Sequence, residues 1–281
     1  MMKICALYSG SSGNSIFISN KDRNFVSYNI LSGVELKNGT NILVDAGMNG
    51  KQMQIAMNAI GESMDEVHGI LITHEHIDHM RGIGVIMRRH GIPIYVNAKT
   101  WQRMQNMQIG DIPDKLVNII KSGKTFEIRD LVIESFRTPH DAIESVGYRI
   151  IGSQKSVSVF TDIGEVQEEM FESVAGSDAI FIESNYDTKM LWEGSYPYML
   201  KKRIDSSKGH LSNEDCAKTI VRLLERGTTK FVLSHLSQEN NLPSVALKTT
   251  TDSLLNVGAR IGSDLEVIVA KRSCVSTPWI L

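Results

Sequence analysis

His74-Glu75-His76-Ile77-Asp78-His79 packs four candidate metal ligands into six residues. The run follows residues 67–73, an apolar stretch whose length predicts a buried strand. It opens residues 78–90, whose apolar spacing predicts a helix stopped by Gly91. The ligands therefore stand at a strand-to-helix junction. A turn there points His74 and His76 at one ion, while Asp78 and His79 at the start of the helix face another. That compactness suits a two-metal site, whose ions lie only about 3.5–4 Å apart. Imidazole combined with carboxylate favours Zn²⁺, Mn²⁺ or Fe²⁺ over Ca²⁺.

One run cannot complete two coordination shells, so more His and Asp are required at other strand ends. His140 follows the predicted strand 131–136 through Thr138-Pro139, Asp162 follows 157–160, and His235 follows 230–233. Each of these alone reads more readily as a capping or hydrogen-bonded residue than as a ligand. Their order and their common placement at strand ends promote them. Of the eight histidines, only His68 and His90 stay outside the scheme.

Around these positions, short strands are predicted at 4–8, 15–19, 41–44, 94–96, 125–128, 146–151 and 179–183. Helices are predicted at 52–60, 166–174, 213–226 behind a Ser212 cap, and 243–255. Residues 9–14 read as a Gly/Ser-rich hairpin loop near the metals. They lack the lysine and the following helix of a nucleotide cradle. Residues 20–40, polar with alternating apolar positions, read as an extended hairpin. Strand-rich and mixed stretches recur in both halves without a sequence repeat or a linker. One domain over residues 1–281 is expected, with two sheets and helices outside them.

Composition supports a globular enzyme: 42% of the 281 residues are apolar and 22% charged. The first ten residues lack a secretory apolar core, and no run approaches the length of a spanning helix, so a cytoplasmic protein without membrane insertion is expected. Cys5, Cys216 and Cys274 are odd in number and far apart, which predicts buried thiols rather than disulfides or a thiolate site. A net charge of −2 excludes nucleic-acid binding through a global positive field. Local cation clusters remain: Lys201, Lys202, Arg203 and Lys208, and the pair Arg88 and Arg89. Solvated helix faces account for such clusters more often than a phosphate track does.

The ligand run, followed in order by His140, Asp162 and His235, resembles the pattern of the metallo-β-lactamase superfamily over most of the chain. Ser9-Gly10-Ser11-Ser12-Gly13-Asn14-Ser15, Glu183-Ser184-Asn185, Lys208-Gly209-His210-Leu211-Ser212-Asn213-Glu214 and Ser234-His235-Leu236-Ser237 narrow the resemblance to the bacterial YycJ (WalJ) type. It implies an α/β fold, the αβ/βα four-layer sandwich of two mixed β-sheets flanked by helices, and members of this type are regarded as DNA exonucleases. It also implies that His74, His76 and His140 hold a first metal, that Asp78, His79 and His235 hold a second, and that Asp162 bridges them. Asp45 matches an acid that orients ligand imidazoles. His210 matches the histidine that related phosphodiesterases and tRNA-processing enzymes place near the leaving group, which makes it the expected general acid. Tyr186 departs from the family's Glu-Ser-Asn-His run, and residues 20–40 are longer than usual.

Two cations sharing a water lower its pKa to about 7, so the expected nucleophile is a metal-bridging hydroxide, with Asp78 and His210 as the catalytic residues. Asp162 stands where lactam-cleaving enzymes of the best-known type carry Cys, which argues against a β-lactamase. The rival within enzymes is a small-molecule ester, thioester or lactone hydrolase. The rival outside them is a regulatory protein linked to cell-wall signalling, against which the filled ligand positions speak. His210 and the 201–208 cations favour a phosphodiester, single-stranded DNA above all, although no aromatic stacking platform can be placed from the sequence. Four residues keep two readings each. Asp45 either caps the Ala46-Gly47 backbone or orients a ligand, and Glu75 is either solvated or supports one. Glu183 either forms a turn or lines the site, and His210 is either the acid or simply the residue before a capped helix.

Overall fold

The computed structural model describes residues 1–20, 27–28, 35–36 and 39–281. In chain order the strands of the first half are β1 (Met2–Gly10), β2 (Gly13–Asn20), β3 (Ser27–Tyr28), β4 (Glu35–Leu36), β5 (Thr40–Val44), β6 (Gly69–Leu71), β7 (Ile94–Asn97) and β8 (Val117–Ile120). Those that follow are β9 (Thr125–Ile128), β10 (Leu131–Arg137), β11 (Val146–Ile151), β12 (Ser156–Phe160), β13 (Ala179–Glu183), β14 (Lys230–Ser234), β15 (Glu266–Val269) and β16 (Trp279–Ile280). Two seven-stranded sheets result, ordered β16-β1-β2-β5-β6-β7-β8 and β15-β14-β13-β12-β11-β10-β9. Each is mixed. Hairpin pairs run antiparallel at one side, and β5 to β8 and β12 to β15 run parallel at the other.

Helices cover both outer faces. On the first sheet lie α1 (Gly50–Ala59), α2 (Ile77–Met80), α3 (Ile83–His90) and α4 (Ala98–Met104). The second half carries α5 (Glu168–Val174), α6 (Thr188–Glu193), α7 (Tyr198–Ile204), α8 (Asn213–Glu225) and α9 (Pro243–Asn256). Strand periodicity explains the layers, because alternate side chains leave opposite faces. Ile4, Ala6, Ile42 and Val44 meet Ile133, Tyr148, Val159 and Phe181 between the sheets. Their neighbours Cys5, Leu7 and Leu43 pack outward on Met53, Met57, Ile83 and Met87. Ile180, Ile182, Phe231 and Leu233 likewise pack on Met170, Phe171, Ile220 and Leu254. Burial on both faces is why the parallel strands read as continuous apolar runs. The four-layer sandwich is the expected fold.

Several boundaries differ from expectation. The single helix foreseen over 78–90 is two, α2 and α3, parted at Arg81-Gly82. A Cβ at Gly82 would lie 2.2 Å from the Met48 carbonyl oxygen, so the chain turns where only glycine lets two backbones touch. The strand foreseen over 67–73 pairs only through Gly69–Leu71, which frees Thr73 and His74 for the site. Helices α4, α6 and α7 and strands β8, β15 and β16 are additional; all are too short to show a period. The hairpin expected over 20–40 falls mostly outside the described residues. Its described parts are the antiparallel pair of Asn20 with Thr40 at its base and the pairs of Ser27 with Leu36 and Tyr28 with Glu35. Cys5 and Cys216 are buried as expected, whereas Cys274 is exposed. Among the described residues no helix is long and apolar enough to cross a membrane.

Candidate metal centre

The C-terminal ends of parallel strands from both sheets deliver the site. Asp45 follows β5, His74 lies just beyond β6, Asp162 follows β12, Glu183 ends β13 and His235 follows β14, while His140 comes from the loop after β10. Asp45, Asp162 and His235 turn through left-handed backbone, with φ of 61°, 57° and 57°. Such a conformation costs a non-glycine residue about 1–2 kcal/mol, least for Asp, and it turns the chain sharply at the strand end. Arg129 is the remaining described non-glycine residue with positive φ, and it lies in a hairpin turn away from this edge.

Three-residue groups converge here. His74, His76 and His140 each bring a ligand atom within 4.8 Å of the others; so do Asp78, His79 and His235, and His74, His79 and Asp162 link the two groups. Every residue singled out from the ligand pattern is thus brought together. The imidazoles are also oriented. His79 donates from Nδ1 to Asp45 Oδ2 at 2.7 Å, and His140 donates from Nδ1 to the Gly209 carbonyl at 3.0 Å. His235 Nδ1 bonds Glu183 Oε1 at 2.8 Å. Thr73 gives its hydroxyl proton to Asp45 Oδ2, so its oxygen is left to accept from His74 Nδ1 at 3.0 Å. In all four rings Nδ1 is occupied and Nε2 faces inward, the orientation that carboxylate or carbonyl partners impose on metal-binding histidine. His76 presents Nδ1 instead, 3.3 Å from His140 Nε2.

The donor set fits divalent cations. His74 Nε2, Asp162 Oδ2 and His235 Nε2 are buried without a hydrogen-bond partner, a costly condition unless something charged sits among them. Charge points the same way. Burial disfavours a proton on His79, yet Asp162, Asp78 and Asp45 raise its pKa to about 10; burial likewise opposes Asp162 and Glu183, which together raise His235 to about 9. Burial opposes ionisation of Asp162, but His235, His79, His74 and His140 around it hold it well below the carboxylate range. His74, buried and beside His79, lies well below the usual imidazole value. A cluster this rich in carboxylate calls for positive charge.

Three side chains not assigned as ligands complete the site. Glu183 Oε1 accepts from both His210 Nδ1 and His235 Nδ1 at 2.8 Å, and its Oε2 accepts from the Ile163 N–H at 2.8 Å, so it lines the site rather than forming a turn. Asn14, from the β1–β2 hairpin, donates to Asp78 Oδ2 at 3.2 Å and lies 3.0 Å from His79 Nε2. Asp141 sits 3.4 Å from His140 Nε2 and takes Arg203 on its other oxygen. The Glu183 strand end and the 9–14 loop carry signals in the sequence; Asp141 carries none beyond its neighbour. Asp45 bonds Thr73 and His79, not Ala46-Gly47, because Ala46 and Gly47 donate to the His79 and Asn14 carbonyls. Glu75 is buried and accepts from the Ile143 N–H at 2.9 Å, so it anchors the loop after His140. His68 and His90 lie outside the cluster, on Asn41 and Asp65.

A two-sheet sandwich with a His/Asp centre at the strand ends defines a class of metallohydrolase fold, and residues 40–236 match the β-lactamase superfamily domain; the chain belongs to that family. Within it the chain is of the YycJ/WalJ type. It is 38% identical over 266 residues to exodeoxyribonuclease WalJ of Streptococcus pneumoniae, covering 94% of this chain and 93% of the relative. It is 33% identical over 261 residues to exodeoxyribonuclease YycJ of Bacillus anthracis, covering 93% and 92%. Among solved structures, the metallo-β-lactamase fold protein YhfI of Bacillus subtilis superposes with a TM-score of 0.68 at 15% identity over 99% of this chain and 100% of that one. A diphosphatase of the PhnP family gives 0.61 at 16% identity over 99% and 98%.

Proposed function

We propose that this chain acts as one domain, a two-metal phosphodiesterase that degrades single-stranded DNA as an exonuclease. The observation that carries the reading is the convergence of His74 Nε2, Asp162 Oδ2 and His235 Nε2, buried and unpartnered, beside the half-buried His210, which bonds Glu183. The names of the relatives that span nearly the whole chain point the same way. His74, His76 and His140 would hold one ion and Asp78, His79 and His235 the other, with Asp162 between them. Zn²⁺ suits this donor set, with Mn²⁺ or Fe²⁺ as alternatives. Two such cations supply acidified water and offset negative charge on a phosphodiester.

The chain's own residues do the rest. Asp45, Thr73, Glu183 and the Gly209 carbonyl fix the rings, so no reorganisation is needed when substrate arrives. His210, fixed through Nδ1 by Glu183, keeps Nε2 free to protonate the leaving oxygen. The test is hydrolysis of bis-p-nitrophenyl phosphate and 5′-labelled single-stranded DNA by metal-stripped protein reloaded with Zn²⁺ or Mn²⁺, beside a thioester and a lactone. Phosphodiester cleavage that needs metal, is abolished in His76→Ala and falls about 100-fold or more in His210→Ala supports the proposal. Turnover of the thioester or lactone alone moves the function to small-molecule hydrolysis.

A further inference from the structure

Exposure of the candidate ligands shows where substrate enters. The side chains of His76 and Asp78 are 32% and 20% exposed and that of His210 is 22% exposed, whereas His79, His140, Asp162 and His235 are buried. The entrance is continuous: the His140 ring centroid lies 5.0 Å from that of His76 and 5.2 Å from that of His210. Asp141 stands at this entrance. Its Oδ1 is 3.4 Å from His140 Nε2 and 3.9 Å from His76 Nε2, and its Oδ2 accepts from Arg203 Nε. One carboxylate therefore separates the Arg203 guanidinium from two ligand rings.

How that guanidinium is held leaves its fork free. Arg222 and Arg226 close on Glu168 and Glu172 through their terminal nitrogens, which spends the fork on the carboxylate. Arg203 instead meets Asp141 through Nε; Nη1 and Nη2 make no hydrogen bond among the described residues, and the side chain is 59% exposed. Its neighbours in the 201–208 cluster are not so placed. Lys201 Nζ donates to the carbonyls of Trp192 and Gly194, and Lys202 Nζ lies 5.2 Å from the Tyr198 ring centroid.

The backbone beneath Arg203 is fixed to the same side of the centre. Its carbonyl accepts from Ser206 Oγ at 2.8 Å, and a Cβ at Gly209 would lie 2.3 Å from that carbonyl oxygen, so the close approach depends on glycine. Gly209 in turn gives its own carbonyl to His140 Nδ1 at 3.0 Å. One segment thus sets both the ligand ring and the guanidinium. An ion pair as exposed as that of Arg203 with Asp141 contributes little to stability, and what the free fork can bind is the better account of its place beside two ligand rings.

We propose that Arg203, aimed by Asp141, is the phosphate-binding residue of this site, with Nη1 and Nη2 holding the non-bridging oxygens of the scissile phosphodiester as it enters past His76 and His210. The proposal rests on the phosphodiesterase reading for its substrate and names how that site recognises it. A planar guanidinium fork matches two phosphate oxygens, and a contact to phosphate is independent of base sequence. A neutral ester or lactone offers no anion to the fork, so the same residue selects phosphodiesters over the substrates of small-ester hydrolases.

Calorimetric titration of the zinc-loaded full chain with inorganic phosphate, beside steady-state hydrolysis of bis-p-nitrophenyl phosphate, tests it. Arg203→Ala is expected to bind phosphate about ten-fold more weakly and to lose about 10- to 100-fold in kcat/KM, with zinc content and melting temperature as in wild type. Arg203→Lys recovers only part of the loss, because an ammonium lacks the fork. Added guanidinium at millimolar concentration raises turnover by Arg203→Ala and not by wild type. Asp141→Asn raises KM in wild type and adds nothing further in Arg203→Ala, as a residue that acts by positioning Arg203 must. Phosphate affinity and kcat/KM of Arg203→Ala within about twofold of wild type overturn the proposal, as does a loss that tracks loss of zinc. If wild type hydrolyses the diester and Arg203→Ala matches it, the phosphate contact fails and the proposed function stands. If phosphate binding depends on Arg203 but wild type cleaves no phosphodiester with any metal, the proposed function fails and the anion site remains.

Discussion

Replacing Asp45 by asparagine separates orientation of the metal ligands from the stability of the fold. Asp45 is buried and accepts three hydrogen bonds: from the Thr73 N–H at 2.9 Å, the Thr73 hydroxyl at 2.7 Å and His79 Nδ1 at 2.7 Å. Asparagine has the same shape and tolerates the φ of 61°. Its carbonyl oxygen still serves the Thr73 N–H. Its amide hydrogens, however, face the donors of His79 and Thr73, so His79 must move its proton to Nε2 and lose its inward lone pair, or turn away. Loss of such a supporting carboxylate costs about 10- to 100-fold in metal affinity, or about 1.4–2.7 kcal/mol. Asp45→Gly, which relieves the left-handed backbone but leaves the Thr73 N–H unpaired, is expected to lose about 1–3 kcal/mol of stability as well. Zn²⁺ affinity measured by competition with a chromophoric chelator, and melting in excess chelator, read the two effects separately. Wild-type zinc affinity in Asp45→Asn, within about twofold, refutes the orienting role.

Other expected outcomes concern packing, metal and acid. Gly47→Ala places a Cβ 1.7 Å from the Asp78 carbonyl oxygen and 2.6 Å from the Asn14 nitrogen, so chemical denaturation should show a loss of about 3 kcal/mol or more, together with weaker metal binding. Reloading chelated protein with Zn²⁺ at about 100 times its dissociation constant should raise stability by about 2.7 kcal/mol, read as a shift in the denaturation midpoint. Burial opposes ionisation of Asp178, but Lys155 and the Ser156 N–H outweigh it and hold its pKa below the ordinary value. A depressed carboxylate stabilises above its unfolded pKa, and that contribution disappears as pH falls through the folded one. Asp178→Asn should therefore melt below wild type at pH 7, and the difference should shrink as pH falls through the ordinary carboxylate range and below it.

Local order in the chain was enough to find the ligands. Four donors within six residues at a strand-to-helix junction can serve little but a cation, and the alternation of strand and helix announced two covered sheets. His140, Asp162 and His235 were legible because each stands just past a strand, a property of the residues on either side of it. Helix α7 was not, since seven residues make barely two turns and are too short to show a period. Its place beside His140 and His210 depends on Gly209, Arg203 and Asp141 meeting across the fold.

What the sequence determined by itself was the identity and order of the donors, the strands that carry them and the family they belong to. Tertiary structure alone decided which nitrogen each ring turns inward, because that choice belongs to Asp45, Glu183 and Gly209, which lie 34, 52 and 69 positions from the histidines they hold. It also decided that Trp192 and Tyr198 stand exposed, since exposure depends on what else packs there. Hydrogen bonds and burial act through space, whereas spacing and periodicity record only neighbours along the chain.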